Sequence, residues 1–204
     1  MKKITLLLFC MMWYLHSFKL NAQTYQSLNL DGFNTDVIAN GTGTALASTN
    51  NDVDGVSYAF KSIDWKLTAT STAQTTGLPV GGLITSANNA NLNFQLKGYS
   101  DNNVIRISAI NTPITSNVTN AVHASKLIIL VTGGSGDAVM GGTINFTDGT
   151  SQNFSNINVQ DWYNNTPLPI SFQNFGRINK NDNIVENGPF PALFQATVAI
   201  DVAN

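Results

Sequence analysis

One short run of oxygen-bearing side chains has the spacing of part of a calcium-binding loop. Residues 50–55 read Asn-Asn-Asp-Val-Asp-Gly, with oxygen ligands at alternate positions and glycine at the sharp turn. The twelfth position of an EF-hand loop would be Lys61, which cannot supply the bidentate carboxylate, so an EF-hand is excluded. A different calcium site, using Asp52, Asp54, Asn50 and backbone carbonyls, is one prediction. The alternative is a solvated turn rich in Asp and Asn.

Aromatic side chains form a second group with binding potential, because aromatic faces stack on the C–H faces of sugar rings. Tyr163 is predicted to be exposed, whereas Trp162 has an alternative role as a core anchor that buries a large apolar area. Tyr58 and Tyr99 lie near predicted turns and complete a candidate exposed platform. These four residues are the predicted carbohydrate contacts.

Two further pairs of residues have predicted structural roles. Asp161 and Arg177 are expected to form an ion pair that fixes a loop to the fold, since a carboxylate and a guanidinium can bond in a bidentate way. Asp148 and Gly149 suit a hairpin turn that needs positive φ. Turn chemistry therefore explains Asp148 without a functional role.

Catalysis is not predicted, because the residue types that it needs are scarce. Beyond residues 1–22 the chain has one histidine, His123, one glutamate, Glu186, and no cysteine. A Ser-His-Asp triad would have to use His123, and no Gly-x-Ser-x-Gly turn accompanies it. A glycosidase needs two carboxylates that face one cleft, whereas the acids here stand mostly at turn positions. The sequence therefore favours a protein that is not an enzyme and has no certain cofactor.

The N-terminus has the organisation of a secretory signal. Lys2 and Lys3 precede an apolar run at residues 4–15, which is shorter than the roughly 20 residues that span a bilayer. Leu20-Asn21-Ala22 then offers a small residue at a cleavage position, and cleavage before Gln23 is expected. We predict an exported protein, extracellular, cell-surface or periplasmic, with no membrane insertion after cleavage.

Removal of residues 1–22 changes the chemistry available to the remaining chain. The only cysteine, Cys10, lies in this segment, so disulfides and thiolate metal sites are excluded from the exported chain. Three of the ten basic residues also lie there, which makes the remaining chain more acidic than the net charge of −2 of the whole sequence. No basic cluster remains, and nucleic acid is therefore not a predicted partner.

Strand patterns dominate the rest of the sequence, and the stretch 124–163 is their centre. It contains an apolar strand at Lys126–Val131, a Gly-rich connection and a strand at 143–147. The Asp148-Gly149 turn and a return strand at 151–154 follow.

Further segments have the residue types or alternation of strands and are separated by Gly, Asn and Asp turns. They are 25–30, 56–60, 61–70, 92–96, 104–110, 113–119, 170–172 and 193–202. This spacing predicts an all-β fold with little helix, an antiparallel β-sandwich or jelly roll, in one domain at residues 23–204.

The order of these elements resembles the galactose-binding-like jelly rolls, which are common as carbohydrate-binding modules of secreted bacterial proteins. The residues that carry the resemblance are Lys126–Val131, the run Ile-Asn-Phe-Thr-Asp-Gly-Thr at 144–150, and Asp-Trp-Tyr at 161–163, with weaker support from Phe-Gly-Arg at 175–177. The signal segment and the Asn- and Thr-rich strands also resemble exported proteins of the Bacteroidota. The resemblance implies an eight-stranded sandwich, often with structural calcium, and no catalytic residues.

The resulting functional prediction is a non-catalytic secreted binding module. Its expected ligand is a glycan or polysaccharide, and calcium is its candidate structural ion. The alternative is a structural or adhesive cell-surface module that contacts protein partners or other domains of a larger parent protein.

Overall fold

The structure is a computed structural model that describes residues 23–108, 112–163 and 168–201. The predicted signal segment lies outside the described residues. Every regular element in the described part is a β-strand, which confirms the prediction of an all-β fold. The strands, numbered in chain order, are β1 (Ile38–Ala39), β2 (Tyr58–Lys61), β3 (Leu83–Ser86), β4 (Asn89–Gln95), β5 (Lys126–Val131), β6 (Ala138–Asn145), β7 (Ser151–Val159), β8 (Ile170–Gln173), β9 (Arg177–Asn179), β10 (Val185–Glu186) and β11 (Ala192–Ala199).

The strands form two larger sheets and two hairpins. The first sheet has the order β1-β2-β9-β10, and all of its pairs are antiparallel except the parallel pair β1–β2. The second sheet has the order β5-β11-β8 and is antiparallel throughout. The hairpin β3–β4 contacts β8, and the hairpin β6–β7 contacts β11. The fold is therefore a mainly antiparallel β-sandwich; its jelly-roll connectivity stays a prediction.

The main hydrophobic core joins the two larger sheets. Phe60 of β2 packs edge-on against Trp162, with ring centroids 5.4 Å apart, and Phe175 lies 5.6 Å from Phe60 on another side. Leu193 of β11 belongs to the same buried cluster, and Leu130 of β5 packs against it. Because the cluster takes side chains from both sheets, it is the interior of the sandwich.

A smaller core covers the opposite face of the first sheet. Ala39 and Ala59 alternate with Ile38 and Phe60 of the main core, and together with Ile178 they pack against Trp65. The predicted strand at 61–70 is wrong beyond Lys61: Trp65 is buried, but Ile63 and Leu67 are 38% and 41% exposed. The chain there turns, so the three side chains do not share one face as strand alternation had predicted.

The hairpin β6–β7 contains the turn that the sequence predicts. Gly149 has a φ of +89°, and the Asp148 carboxylate accepts bonds from the backbone N–H and the hydroxyl of Thr150. These bonds lower the pKa of Asp148. Asp148 thus fixes the turn geometry.

Some predicted strands form only single bridges. Val104 pairs with Thr35, and Leu30 pairs with Val118, without a continuous ladder on either side. Part of the predicted strand at 104–110 lies outside the described residues. Within the described ranges, the structure contains no helix of the length and hydrophobicity needed to cross a membrane.

Candidate functional site

Two of the four predicted carbohydrate contacts are buried. Trp162 is only 2% exposed and lies inside the main core. Its burial agrees with the alternative prediction of a core anchor and not with sugar stacking. The prediction of an exposed Tyr99 was wrong. Its side chain is 8% exposed and its hydroxyl donates to the carbonyl oxygen of Pro79 at 2.7 Å. Proximity to a turn in the sequence did not keep Tyr99 at the surface, because its hydroxyl finds a partner inside the fold.

The other two aromatic residues, Tyr58 and Tyr163, enclose the guanidinium of Arg177. The guanidinium carbon lies 3.6 Å from the ring centroid of Tyr58 and 4.3 Å from that of Tyr163. The centroid of the Trp162 ring lies further from the same guanidinium carbon, at 5.6 Å. Cations are attracted to the negative faces of aromatic rings, and planar guanidinium groups also stack on them. We call Tyr58, Tyr163, Arg177 and Glu186 the arginine clamp.

Ion pairing completes the arginine clamp. Arg177 Nη2 lies 2.8 Å from Glu186 Oε2, and the Tyr58 hydroxyl donates to Glu186 Oε1 at 2.7 Å. Arg177 Nη1 also lies 3.9 Å from Asp54 Oδ2. The bond from Tyr58, with the further bond and charge of Arg177, holds the pKa of Glu186 below its usual value despite its partial burial. Burial raises the pKa of Tyr163 to about 12.

The predicted ion pair between Asp161 and Arg177 was wrong. Arg177 pairs with Glu186 because β9 and β10 are neighbours that place these two residues directly opposite each other. Asp161 instead accepts bonds from the backbone N–H groups of Gly136 and Tyr163, at 2.6 and 2.8 Å. It therefore fixes the Gly-rich loop and the start of the Trp162-Tyr163 turn through backbone contacts.

The arginine clamp allows a stability prediction with a conservative substitution. Arg177→Lys keeps the positive charge but loses the planar group that stacks between two rings and bonds Glu186. We expect the free energy of unfolding to fall by about 1–2 kcal/mol, measured by urea denaturation. Arg106→Lys is the control, since Arg106 makes only a 3.8 Å ion pair to Asp52 and a bond to its carbonyl oxygen. Equal losses in both variants would contradict a special role for the stacked guanidinium.

The three residues predicted to bind calcium use their side-chain oxygens in hydrogen bonds within the chain. The Asp52 carboxylate accepts from the N–H groups of Gly55 and Ser57, and the Asp54 carboxylate accepts from Val56 and Tyr58. Each carboxylate also lies near an arginine.

Asn50 uses its side-chain oxygen for a different segment of the chain. Asn50 Oδ1 accepts from the backbone N–H of Asp36 at 2.8 Å, while its amide nitrogen donates to Asn102. In the described residues no group of three or more His, Cys, Asp or Glu side chains is arranged to hold a metal ion. The geometry at residues 50–55 is that of the alternative, a turn stabilised by its own Asp and Asn side chains.

The Gly-rich loop after β5 has a packing role against this turn. A Cβ at Gly134 would collide with the carbonyl oxygen of Val53, and the Ser135 hydroxyl donates to the carbonyl oxygen of Asp54. Only glycine permits this approach of two backbones. Close contact with residues 53–54 therefore explains the glycine at position 134.

A polar cavity that the sequence did not predict, shallow and open to solvent, is lined in part by Asn50. Its volume is about 590 Å³. Its lining contains three carboxylates, two amides, one hydroxyl, one aromatic ring and one lysine: Leu30, Asp31, Gly32, Phe33, Asp36, Asn50, Lys97, Ser100, Asp101 and Asn102. The Lys97 ammonium lies 5.8 Å from the centroid of the Phe33 ring. Concave surfaces with a few placed polar groups are typical of small-molecule sites.

Asp36 is the most buried carboxylate of the cavity, at 9% exposure. Its Oδ1 accepts from Asn103 Nδ2 at 2.6 Å and from the N–H of Ile38 at 3.3 Å. Both hydrogen bonds that the described residues make to this carboxylate go to Oδ1. Burial raises the pKa of Asp36, against the opposing effects of these bonds.

The sequence contained one signal for this cavity. The polar runs at 31–36 and 97–103 each contain three Asp or Asn residues. Their convergence depends on the bridge between Thr35 and Val104, which joins segments far apart in the sequence. No local pattern could have shown that pairing.

Comparison of the chain with models of protein families, with curated proteins and with solved structures finds no match. The resemblance to galactose-binding-like modules therefore stays a prediction from sequence.

Proposed function

We propose that this protein is an exported, non-catalytic module that binds carbohydrate in the polar cavity beside Phe33. The observation that carries the proposal is the combination of one aromatic ring with carboxylate, amide and hydroxyl groups in one concavity of about 590 Å³. Sugar hydroxyls both donate and accept hydrogen bonds, so they match a lining of Asp and Asn side chains. A ring such as Phe33 complements the apolar C–H face of the same sugar.

Individual residues have separate roles in this proposal. Oδ2 of Asp36 accepts a hydroxyl bond in a partly desolvated place, where a charge-assisted bond is strong. Asp101 and Ser100 contribute acceptors at the more exposed rim. Because Asp31, Asp36 and Asp101 outnumber Lys97, the cavity favours neutral or amino sugars over acidic ones.

Binding assays with cavity variants test the proposal. The chain from residue 23 is screened by calorimetry against neutral, amino and acidic oligosaccharides. Phe33→Ala and Asp101→Asn are each expected to weaken binding of the best ligand about tenfold or more, which corresponds to about 1.4 kcal/mol. Asp148→Asn is the charge-matched control, because Asp148 bonds Thr150 at the tip of a hairpin.

Two results would reject the cavity as the site. The first is saccharide binding that survives both cavity substitutions but is lost in Tyr163→Ala, which would place the ligand at the arginine clamp. The second is the absence of binding to any saccharide class. Addition of EDTA is expected to leave binding unchanged, since the Asp52 and Asp54 carboxylates are already bonded to backbone N–H groups.

One observation favours the alternative, an adhesive or structural surface module. Leu46, Val56 and Ile184 are exposed by 60%, 63% and 59%. Hydrogen bonds from Ala45 to Asn183 and from Lys180 to Ser57 bring their segments to the same end of the first sheet. Clustered exposed aliphatic side chains are typical of protein contact surfaces. Failure of all saccharides to bind would make this second function the better account.

A further inference from the structure

Lys61 is the most unusual ionisable residue of the structure. It is fully buried, at 0% exposure, and it forms no ion pair with any residue in the described part of the chain. Its ammonium nitrogen donates to the carbonyl oxygen and to the hydroxyl of Thr76. Burial lowers the pKa of Lys61 to about 8. A buried lysine without an acidic partner is costly for a fold and calls for an explanation.

The register of the first sheet places Lys61 in one row with Gly176 and Asn187. Phe60 pairs with Arg177 and Arg177 pairs with Glu186, so the next row contains these three residues. Gly176 lies between Lys61 and Asn187, immediately before the first residue of β9. Because glycine has no side chain, the space next to its Cα is open to the side chains of these two residues. A Cβ there would lie 3.2 Å from Lys61 Cε and 2.9 Å from Asn187 Oδ1.

The lysine and the asparagine therefore meet over the glycine. Their Cα atoms are two strand spacings apart, about 10 Å, which the two side chains span together. The Thr76 hydroxyl connects them: it accepts from Lys61 Nζ at 3.1 Å and donates to Asn187 Oδ1 at 2.5 Å. A donor on the carboxamide oxygen polarises the carbonyl group of Asn187.

From this geometry we propose that Lys61 and Asn187 form an intramolecular isopeptide bond that ties β2 to the end of β10. The neutral amine of Lys61 attacks Cγ of Asn187, and a bond forms between Nζ and Cγ. The bond from Cγ to the carboxamide nitrogen breaks, a proton passes from the amine to that nitrogen, and ammonia leaves. The Thr76 hydroxyl stabilises the carbonyl oxygen during the attack. The reaction is a single turnover and needs no oxidant or co-reactant.

The bond would remove the cost of the buried lysine. An amide has no charge, so the nitrogen of Lys61 no longer has to be desolvated as an ammonium ion. It would also provide a covalent cross-link in a chain whose only cysteine is Cys10. A cross-link of this kind is a modification beyond the proposed carbohydrate binding and does not depend on it.

Mass spectrometry of the folded, full-length product tests the bond. The N-terminus of the same sample is determined first, and the mass of the unmodified chain is calculated from it. The measured intact mass is expected to be lower than this calculated mass by one ammonia molecule. An N-terminal Gln23 would also lose ammonia on cyclising, so peptide mapping decides. Trypsin is expected not to cleave after Lys61, and a branched peptide that joins Lys61 to Asn187 is expected instead of the linear peptides.

Three variants serve as controls. Lys61→Arg and Asn187→Ala must each show the full mass, apart from any change at the N-terminus, and no branched peptide. Thr76→Val is expected to lower the cross-linked fraction at least severalfold after equal incubation at pH 8. The proposal would be overturned if the folded wild-type chain gave two linear peptides in full yield, one ending at Lys61 and the other containing Asn187. This outcome does not depend on whether the variants fold.

Discussion

Trp162→Ala is expected to lower the free energy of unfolding by about 3–5 kcal/mol, the usual cost of removing a large aromatic side chain from a core. Trp162 is 2% exposed and packs against Phe60 inside the cluster that joins the two sheets. Its backbone also matters: its N–H donates to Gly133, and its carbonyl oxygen accepts from Ala192. Alanine keeps these backbone bonds and leaves a cavity in place of the ring.

Equilibrium urea denaturation, followed by circular dichroism, measures this loss. Trp162→Phe is the control, because it keeps an aromatic ring in the core and is expected to cost less than half as much. A loss below about 1 kcal/mol for Trp162→Ala would show that the ring is not the centre of the core, since surface changes have effects of that size. Such a result would restore the sugar-stacking role predicted for Trp162.

The free amine of Lys61 is expected to make stability rise with pH. Burial lowers its pKa in the folded chain to about 8, from 10.5. Between these values the unfolded chain holds a proton that the folded chain has released, so the free energy of unfolding increases as pH rises. The increase over the whole window is about 3 kcal/mol, and below about pH 8 the cost of the buried charge is present in full.

Asn187→Ala is the chain in which this effect is measured, because it retains the amine whether or not the isopeptide bond forms in the wild type. Urea denaturation of this variant is expected to show about 2 kcal/mol more stability at about pH 9.5 than at about pH 8. The double variant with Lys61→Met is the control and should lack the increase. A flat profile in Asn187→Ala would show that Lys61 has an ordinary pKa and is not buried as described. Cross-linked wild-type protein should also be flat, since its lysine no longer titrates.

Local sequence patterns determined the class of fold. The apolar strand at Lys126–Val131 was predicted with the bounds that the structure shows, because six apolar or amphipathic residues between turn signals form a strand in most contexts. The turn at Asp148-Gly149 was equally local, since it depends on φ at one glycine and on one side chain bonding its neighbour. All-β architecture followed from the repetition of such segments.

Local sequence patterns did not predict the exposure of side chains that contact a segment far away in the sequence. Tyr58, Tyr99 and Tyr163 were all predicted to be exposed, yet Tyr99 bonds a distant carbonyl oxygen, and the other two enclose Arg177. The partner of Arg177 was also set by strand pairing: Glu186 lies opposite it, whereas Asp161 bonds the backbone of its own loop.

The positions of the two candidate sites were decided by tertiary structure. The cavity forms because Thr35 pairs with Val104, which brings residues 30–36 beside 97–102. The meeting of Lys61 with Asn187 requires β2 and β10 to flank the same glycine of a third segment. The periodicity of a strand depends on residue types that are close together in the sequence, whereas the register between strands depends on packing across the whole sheet. The sequence by itself therefore determined the elements, and only the register of the sheets decided which side chains meet.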